Sequence, residues 1–272
     1  MRMILIVAAL GLTIAVFLNG LADNLLREDV LPPGEYLIPR CAYCDSPRKT
    51  SDLSAMFSTL FLSGACRRCG APRPFRDLLV EALLLAGLPA AWILNGMDLN
   101  ALLSGALILS ACILFSIIDL EHRIVAVEAV ALVCLALLLI RWLSGGDVLI
   151  RTLIGGIAGL AIFLILFLLG EALSILFKLG QGAEPLGFGD VILAALVGCI
   201  TGWPSILLAV FLSIFLGGIF GLGFAVFALV RRSPLRTATM AYGPYLLLSA
   251  LIVFYFGTPF LGAFLNLLGV LR

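Results

Sequence analysis

Two sets of side chains in this 272-residue sequence have the types and spacing for chemistry. The first is thiol: Cys41-x-x-Cys44 and Cys66-x-x-Cys69, with 21 residues between the pairs. Two residues between cysteines let both thiolates of a tight turn reach one ion, and a second pair completes a tetrahedron, which is the paired-knuckle arrangement of a four-thiolate zinc site. Four cysteine ligands leave no open coordination position, so the expected metal holds a loop together and does not catalyse. In a reducing compartment thiols favour metal over disulfide. The remaining cysteines, Cys112, Cys134 and Cys199, lie in apolar runs and read as small core residues.

The second set is carboxylate. Asp119 closes an apolar run and is followed by Leu120-Glu121-His122-Arg123, while Gly187-Phe188-Gly189-Asp190 opens another. An ionised Asp at the centre of a membrane helix costs roughly 3 kcal/mol on insertion scales, so an acid at such a boundary is near water or has a task. Two acids at matching depth would suit general acid–base hydrolysis: one ionised Asp takes a proton from water while the other, protonated, donates to a carbonyl oxygen. Close like charges titrate as a pair. The competing reading is that Asp190 caps a helix N-terminus and Asp119 pairs with Arg123 one turn on. Gly187 and Gly189 allow close backbone approach to an extended substrate, though glycines also make turns. His122, the sole histidine, sits three residues after Asp119, within reach to tune it or touch substrate, or is a solvated interface group. Glu81 and Glu184 stand at span boundaries, as capping acids or as partners for cations, and Glu171 lies deeper in its span, where it should face protein or water.

The elements that must position these groups are membrane spans. The chain is 62% hydrophobic and 12% charged, with a mean hydropathy of +1.20, against about 25% charged in an ordinary soluble domain. Apolar runs at 3–22, 78–95, 99–118, 124–143, 149–170, 190–203, 204–230 and 241–257 predict an all-α polytopic fold of about eight transmembrane helices. The first run reads as an uncleaved span, Gly202-Trp203-Pro204 as a turn at the interface, and the tail after Phe260 as too short to cross alone. Residues 23–76 form the one sizeable polar segment. About 13 of the 17 Lys and Arg fall in that segment, at Arg123, at Lys178, or at Arg231, Arg232 and Arg236. Alternating spans put these on one side, which the positive-inside rule makes cytoplasmic. The arginines at 231, 232 and 236 are suited to anionic lipid. The net charge of +1 offers no basis for nucleic-acid binding. Glycines at 155, 156, 159, 217, 218, 221 and 223 read as close helix packing. No internal repeat stands out.

In this order the motifs resemble the type IV prepilin peptidases, membrane aspartyl proteases with a GxGD motif. Phe17-Leu18-Asn19 with Arg27 resembles the first-span signature, and the two Cys pairs the cytoplasmic loop. Arg76 to Glu81 is similar to the segment that re-enters the membrane, and Asp119 to Arg123 and Gly187 to Asp190 are similar to the two aspartate motifs. Ala241-Tyr242-Gly243-Pro244-Tyr245 is similar to the segment opening the last span. Where the family usually has Pro-Asp after the first aspartate, this chain reads Ala126-Val127-Glu128, and Ile192 replaces a common lysine.

The resemblance implies an inner-membrane enzyme that cuts the leader from prepilins or pseudopilins at the cytoplasmic face, using Asp119 and Asp190. Gly187, Gly189, His122, Gly243 and Pro244 would position the substrate. Cys41, Cys44, Cys66 and Cys69 would hold structural zinc, and many members with the Cys loop also methylate the new amine from S-adenosylmethionine. The implied division is a first span (1–22), a Cys loop (23–76) and a peptidase region (77–272). Its rivals are an inactive scaffold with the aspartates as caps, and a transporter, which would need acids facing one another mid-span.

Overall fold

The computed structural model describes residues 2–25, 35–49, 52–176, 187–230 and 241–267. Its helices are α1 (Arg2–Asn24), α2 (Ala55–Phe61), α3 (Phe75–Leu94), α4 (Leu99–His122), α5 (Val127–Ser144), α6 (Gly146–Leu176), α7 (Phe188–Thr201), α8 (Ser205–Val230) and α9 (Gly243–Leu267). Among the described residues the only β pairing is two isolated bridges in the Cys segment. Six helices are long and apolar enough to cross a membrane, and α7 and α9 supply shorter apolar stretches, so this is a multi-pass membrane protein. Each expected span has its helix. The shifts are at α5, which starts at Val127 because 123–126 form the turn out of α4, at α6, which is longer at both ends than the expected 149–170, and at α9, which runs on to Leu267 and takes in most of the tail that is too short to cross alone. Arg27, Lys178, Glu184, Arg231, Arg232, Arg236 and Arg272 lie outside the described residues.

The chain divides into two compact units, Met1–Ile117 and Ile118–Arg272. In the first, α1 packs on α3, burying Val7, Ala15, Val80, Leu84, Leu88 and Ala91. The crossing is close because Gly11 lies on the α3 backbone at Leu84. The polar segment is tied to these helices by buried polar contacts. Asn24 Nδ2 donates to the carbonyls of Tyr36 and Ile38 (3.2 and 3.1 Å), and Asp23 accepts from the Arg40 amide and pairs with Arg76.

The Cys segment contains a repeat that the apolar bias of the sequence conceals. Cys41-x-x-Cys44-x-x-Pro47-Arg48 and Cys66-x-x-Cys69-x-x-Pro72-Arg73 fold alike. In each, the bridge joins the residue before the first Cys to the Pro (Arg40 to Pro47, Ala65 to Pro72). The first Cys carbonyl accepts from the residue after the second Cys (2.9 Å from Asp45, 2.8 Å from Gly70). Both of those residues take positive φ, 54° at Asp45 and 74° at Gly70, the left-handed turn that brings two thiols to one point.

In the second unit α7 is the hub, contacting α5, α6, α8 and α9 and burying Val191, Leu193, Ala194 and Leu196 to Ile200. Gly155 and Gly159 of α6 meet the backbone of the Ala194–Gly202 stretch and Gly156 meets Cys199 Sγ, leaving no room for a Cβ, and Gly217 abuts the Tyr242 ring. At Gly218, Gly221 and Gly223 a Cβ would meet nothing within 4 Å among the described residues, so there these glycines do not serve close packing.

Candidate functional site

Both acids belong to the second unit, each at a helix end. Asp119 is in the last turn of α4. Its carbonyl accepts from the Arg123 amide (3.1 Å), and Arg123, at φ 55°, ends the helix in the left-handed conformation. The chain then turns through Ile124 to Ala126 into α5. Asp190 is the third residue of α7. The cap position is Gly187, which uses no side chain, and the Asp190 amide donates to the Gly187 carbonyl (3.0 Å). Asp190 is therefore not the N-cap.

Two glycines allow close approach of the backbone beside the acids. A Cβ on Gly189 would lie 2.7 Å from Val125 Cγ2, so this glycine lets the first turn of α7 close on the segment leaving α4. A Cβ on Gly243 would lie 2.5 Å from Asp119 Oδ2 and 2.8 Å from Leu193 Cδ1, so α9 can begin against the Asp119 carboxylate only without a side chain there. Gly187 differs: a Cβ would meet Asp190 Oδ2 at an ordinary 3.7 Å, and its φ is −73°, so neither space nor conformation demands glycine. Pro244 sits in the first turn of α9, where a missing N–H costs no helical bond.

Asp119 and Asp190 interact electrostatically, and Asp190 also acts on Tyr242. Asp119 is 7% exposed, and its Oδ2 is buried without a hydrogen-bond partner among the described residues. Tyr242 carries a positioning network that sequence reasoning passed over except as part of a motif. Its hydroxyl pairs with Ser213 Oγ at 2.9 Å and its ring lies 6.1 Å from Phe163, so α6, α8 and the start of α9 converge there. His122, at the exposed end of α4, is oriented by none of these contacts. Glu171 is half-buried in α6.

The second candidate site is the Cys cluster. The four Sγ atoms lie within 4.8 Å of one another, with Cys41–Cys69 and Cys44–Cys66 each at 3.7 Å. A tetrahedron with zinc–sulfur bonds of about 2.3 Å has edges of about 3.8 Å, so the donor set fits a zinc-sized ion. Backbone N–H groups of Cys69 and Arg68 hold the Cys66 thiol down at about 6 and the Ser46 hydroxyl lowers Cys44, while burial and the neighbouring thiols push Cys69 up to about 12, so a bound metal would have to displace a proton there. Glu81, read from sequence as a boundary acid, is fully buried on α3 and caps α2: its carboxylate accepts from the Ala55 and Met56 amides (2.5 and 2.8 Å) and from Ser54 Oγ (2.8 Å).

Residues 106–222 match the model of the Type IV leader peptidase family, and residues 9–94 that of the bacterial peptidase A24 N-terminal domain. The chain is 30% identical over 228 residues to a prepilin leader peptidase/N-methyltransferase of Aeromonas hydrophila, covering 83% of this chain and 74% of the relative. A protein of the same name from Aeromonas salmonicida strain A449 is 29% identical over 225 residues, covering 81% and 72%. No solved structure matches. With family models and relatives spanning both compact units, the chain belongs to the type IV leader peptidase family.

Proposed function

We propose that this protein is a membrane aspartic endopeptidase that removes the leader from type IV prepilins or pseudopilins, with Asp119 and Asp190 as its catalytic pair. The observation that carries this reading is the convergence of two acids, about 70 residues apart in sequence, at the Gly243 end of α9. Among the described residues Asp119 Oδ2 has no hydrogen-bond partner, which leaves bonding capacity for a reacting group. One ionised carboxylate takes a proton from water, whose oxygen adds to the scissile carbonyl carbon. The protonated carboxyl donates to the carbonyl oxygen, and collapse breaks the C–N bond with a proton delivered to the departing amine. No covalent enzyme intermediate is required.

Gly189, Gly243 and Pro244 shape the backbone around the acids, and Gly187 caps the helix that carries Asp190. The functional division is a first span at 1–22, a metal-bound Cys segment at 23–76 and a peptidase region at 77–272. The positive-inside count supports placing the Cys segment and both acids at the cytoplasmic face of the inner membrane. Zinc on Cys41, Cys44, Cys66 and Cys69 would hold the two knuckles together. The relatives' names also include N-methyltransferase, and we extend that activity to this chain, with S-adenosylmethionine supplying the methyl group to the newly exposed amine.

The test is co-expression with a prepilin, followed by mass spectrometry of the pilin N-terminus. The wild type should yield a processed chain carrying one added methyl group, while Asp119→Asn and Asp190→Asn, each inserted and folded, should leave the leader attached. Normal processing by either variant would replace this reading with that of a scaffold whose aspartates only shape helix ends.

A further inference from the structure

The repeat in the Cys segment places Arg48 and Arg73 at equivalent positions, one residue after the Pro of each knuckle. Their backbones match: the Arg48 amide donates to the Pro39 carbonyl (3.0 Å) and the Arg73 amide to the Gly64 carbonyl (3.1 Å). Both residues are buried, at 9% and 8% exposure. Their guanidinium groups part company. Arg73 is fully engaged: Nε donates to Asp77 Oδ2 at 2.8 Å, Nη1 to the Asp52 carbonyl at 2.7 Å and Nη2 to the Leu53 carbonyl at 2.8 Å. Arg48 Nε and Nη2 are buried with no hydrogen-bond partner among the described residues.

A buried guanidinium cannot shed its charge, and leaving it unpaired is costly, so such a group implies a counter-charge. Arg48 lines a cavity of about 180 Å³ together with Ser46, Lys49, Asp52, Arg67 and Arg68. Four cations thus face one carboxylate, and that carboxylate already pairs with Arg67 (Nε to Oδ2 2.8 Å). The volume is below the ~300 Å³ at which pockets for drug-sized ligands begin, so it suits one anionic group and not a nucleoside-sized molecule. A planar guanidinium fork beside further cations matches tetrahedral phosphate oxygens.

We propose that this cavity is a phosphate-binding site, with Arg48 as its central donor and Lys49 and Arg68 as flanking cations, taking either a soluble phosphate ion or the phosphate of an anionic lipid headgroup. The site is independent of Asp119 and Asp190, so it stands or falls apart from the peptidase reading. A rival explanation is internal: four thiolates around a divalent ion form a net dianion, and Cys66 lines the same cavity, so Arg48 would only balance that charge.

The experiment uses the full-length, metal-loaded protein in an uncharged maltoside detergent, titrated with inorganic phosphate and, separately, with phosphatidylglycerol, and read by phosphorus NMR and by thermal shift. Saturable binding that sulfate displaces and chloride does not is expected for at least one probe. It should weaken at least tenfold in Arg48→Gln and severalfold in Lys49→Gln/Arg68→Gln, and be unchanged in Arg2→Gln. The probe that binds at lower concentration identifies the source, ion or lipid. The proposal is overturned if wild type binds neither probe, or if Arg48→Gln binds as wild type does. Should Arg48→Gln fail to fold, unchanged affinity in the Lys49/Arg68 double variant, whose side chains are exposed, overturns it equally. Release of metal by Arg48→Gln without any phosphate binding in the wild type would establish the charge-balancing role instead.

Discussion

Buried carboxylates are treated differently in the two compact units. In the first, each has partners within the protein: Asp77 pairs with Arg73 and Arg76, Asp52 with Arg67, and Glu81 accepts two amides and a hydroxyl. In the second, Asp119 is buried to a similar degree and has the Gly243 amide and the Arg123 charge beside it, yet keeps one oxygen with no hydrogen-bond partner among the described residues and lies within electrostatic reach of a second acid. An acid that protein groups satisfy lowers the free energy of the fold. An acid left open retains bonding capacity for something outside the fold, which is what hydrolysis requires.

Substitutions can break that contrast. The largest effect is expected from Asp119→Asn or Asp190→Asn, each lowering leader cleavage by about a thousandfold or more while changing thermal stability far less, because Asn keeps the shape and an acceptor oxygen of the side chain. A cleavage assay paired with a melting curve checks both halves. Asp77→Asn should invert the pattern. It leaves the buried Arg73 side chain without its 2.8 Å partner, and breaking a buried pair costs about 3–5 kcal/mol. The melting temperature should fall sharply, and cleavage per folded molecule should fall far less than in the two Asp→Asn variants.

Gly243→Ala sharpens the comparison from the backbone side. The new methyl would press on Asp119 Oδ2 and Leu193 Cδ1, so cleavage should fall about ten- to a hundredfold, while Gly187→Ala, which meets only a 3.7 Å contact, should stay within a fewfold of wild type. Metal retention tests the Cys segment. The Cys66 thiol is held at about 6, so the thiolate that binds metal is present above that pH and lost as pH falls through it. Zinc release, followed with a colorimetric chelator, should rise as pH drops below about 6, and Cys66→Ser should release it at neutral pH. The smallest effect is expected at exposed His122, where His122→Gln should change cleavage no more than about twofold.

The spans were legible because hydropathy is a local property: twenty apolar residues in a row declare a membrane helix wherever they sit in the fold. The knuckles were legible for the same reason, since two residues between cysteines determine a turn without help from distant chain. Even Asp119 and Asp190 could be picked out singly, as acids at the edges of apolar runs. Their surroundings could not. Glu81 read as one more boundary acid because its partners, Ser54 to Met56, lie on another element. Gly218, Gly221 and Gly223 looked like Gly155, Gly156 and Gly159 because composition does not say which face of a helix meets a neighbour.

By itself, then, the sequence determined an all-helical multi-pass protein, a thiol set spaced for one metal ion, and two candidate acids. Only the tertiary structure decided that Gly243 of α9 rests against Asp119, that Gly189 closes α7 on Val125, and that Arg73 is satisfied where its repeat partner Arg48 is not. The reason is physical. Helix formation and knuckle turns are settled by residues a few positions apart, whereas the pairing of a buried charge depends on groups that only the packed chain brings within hydrogen-bond reach.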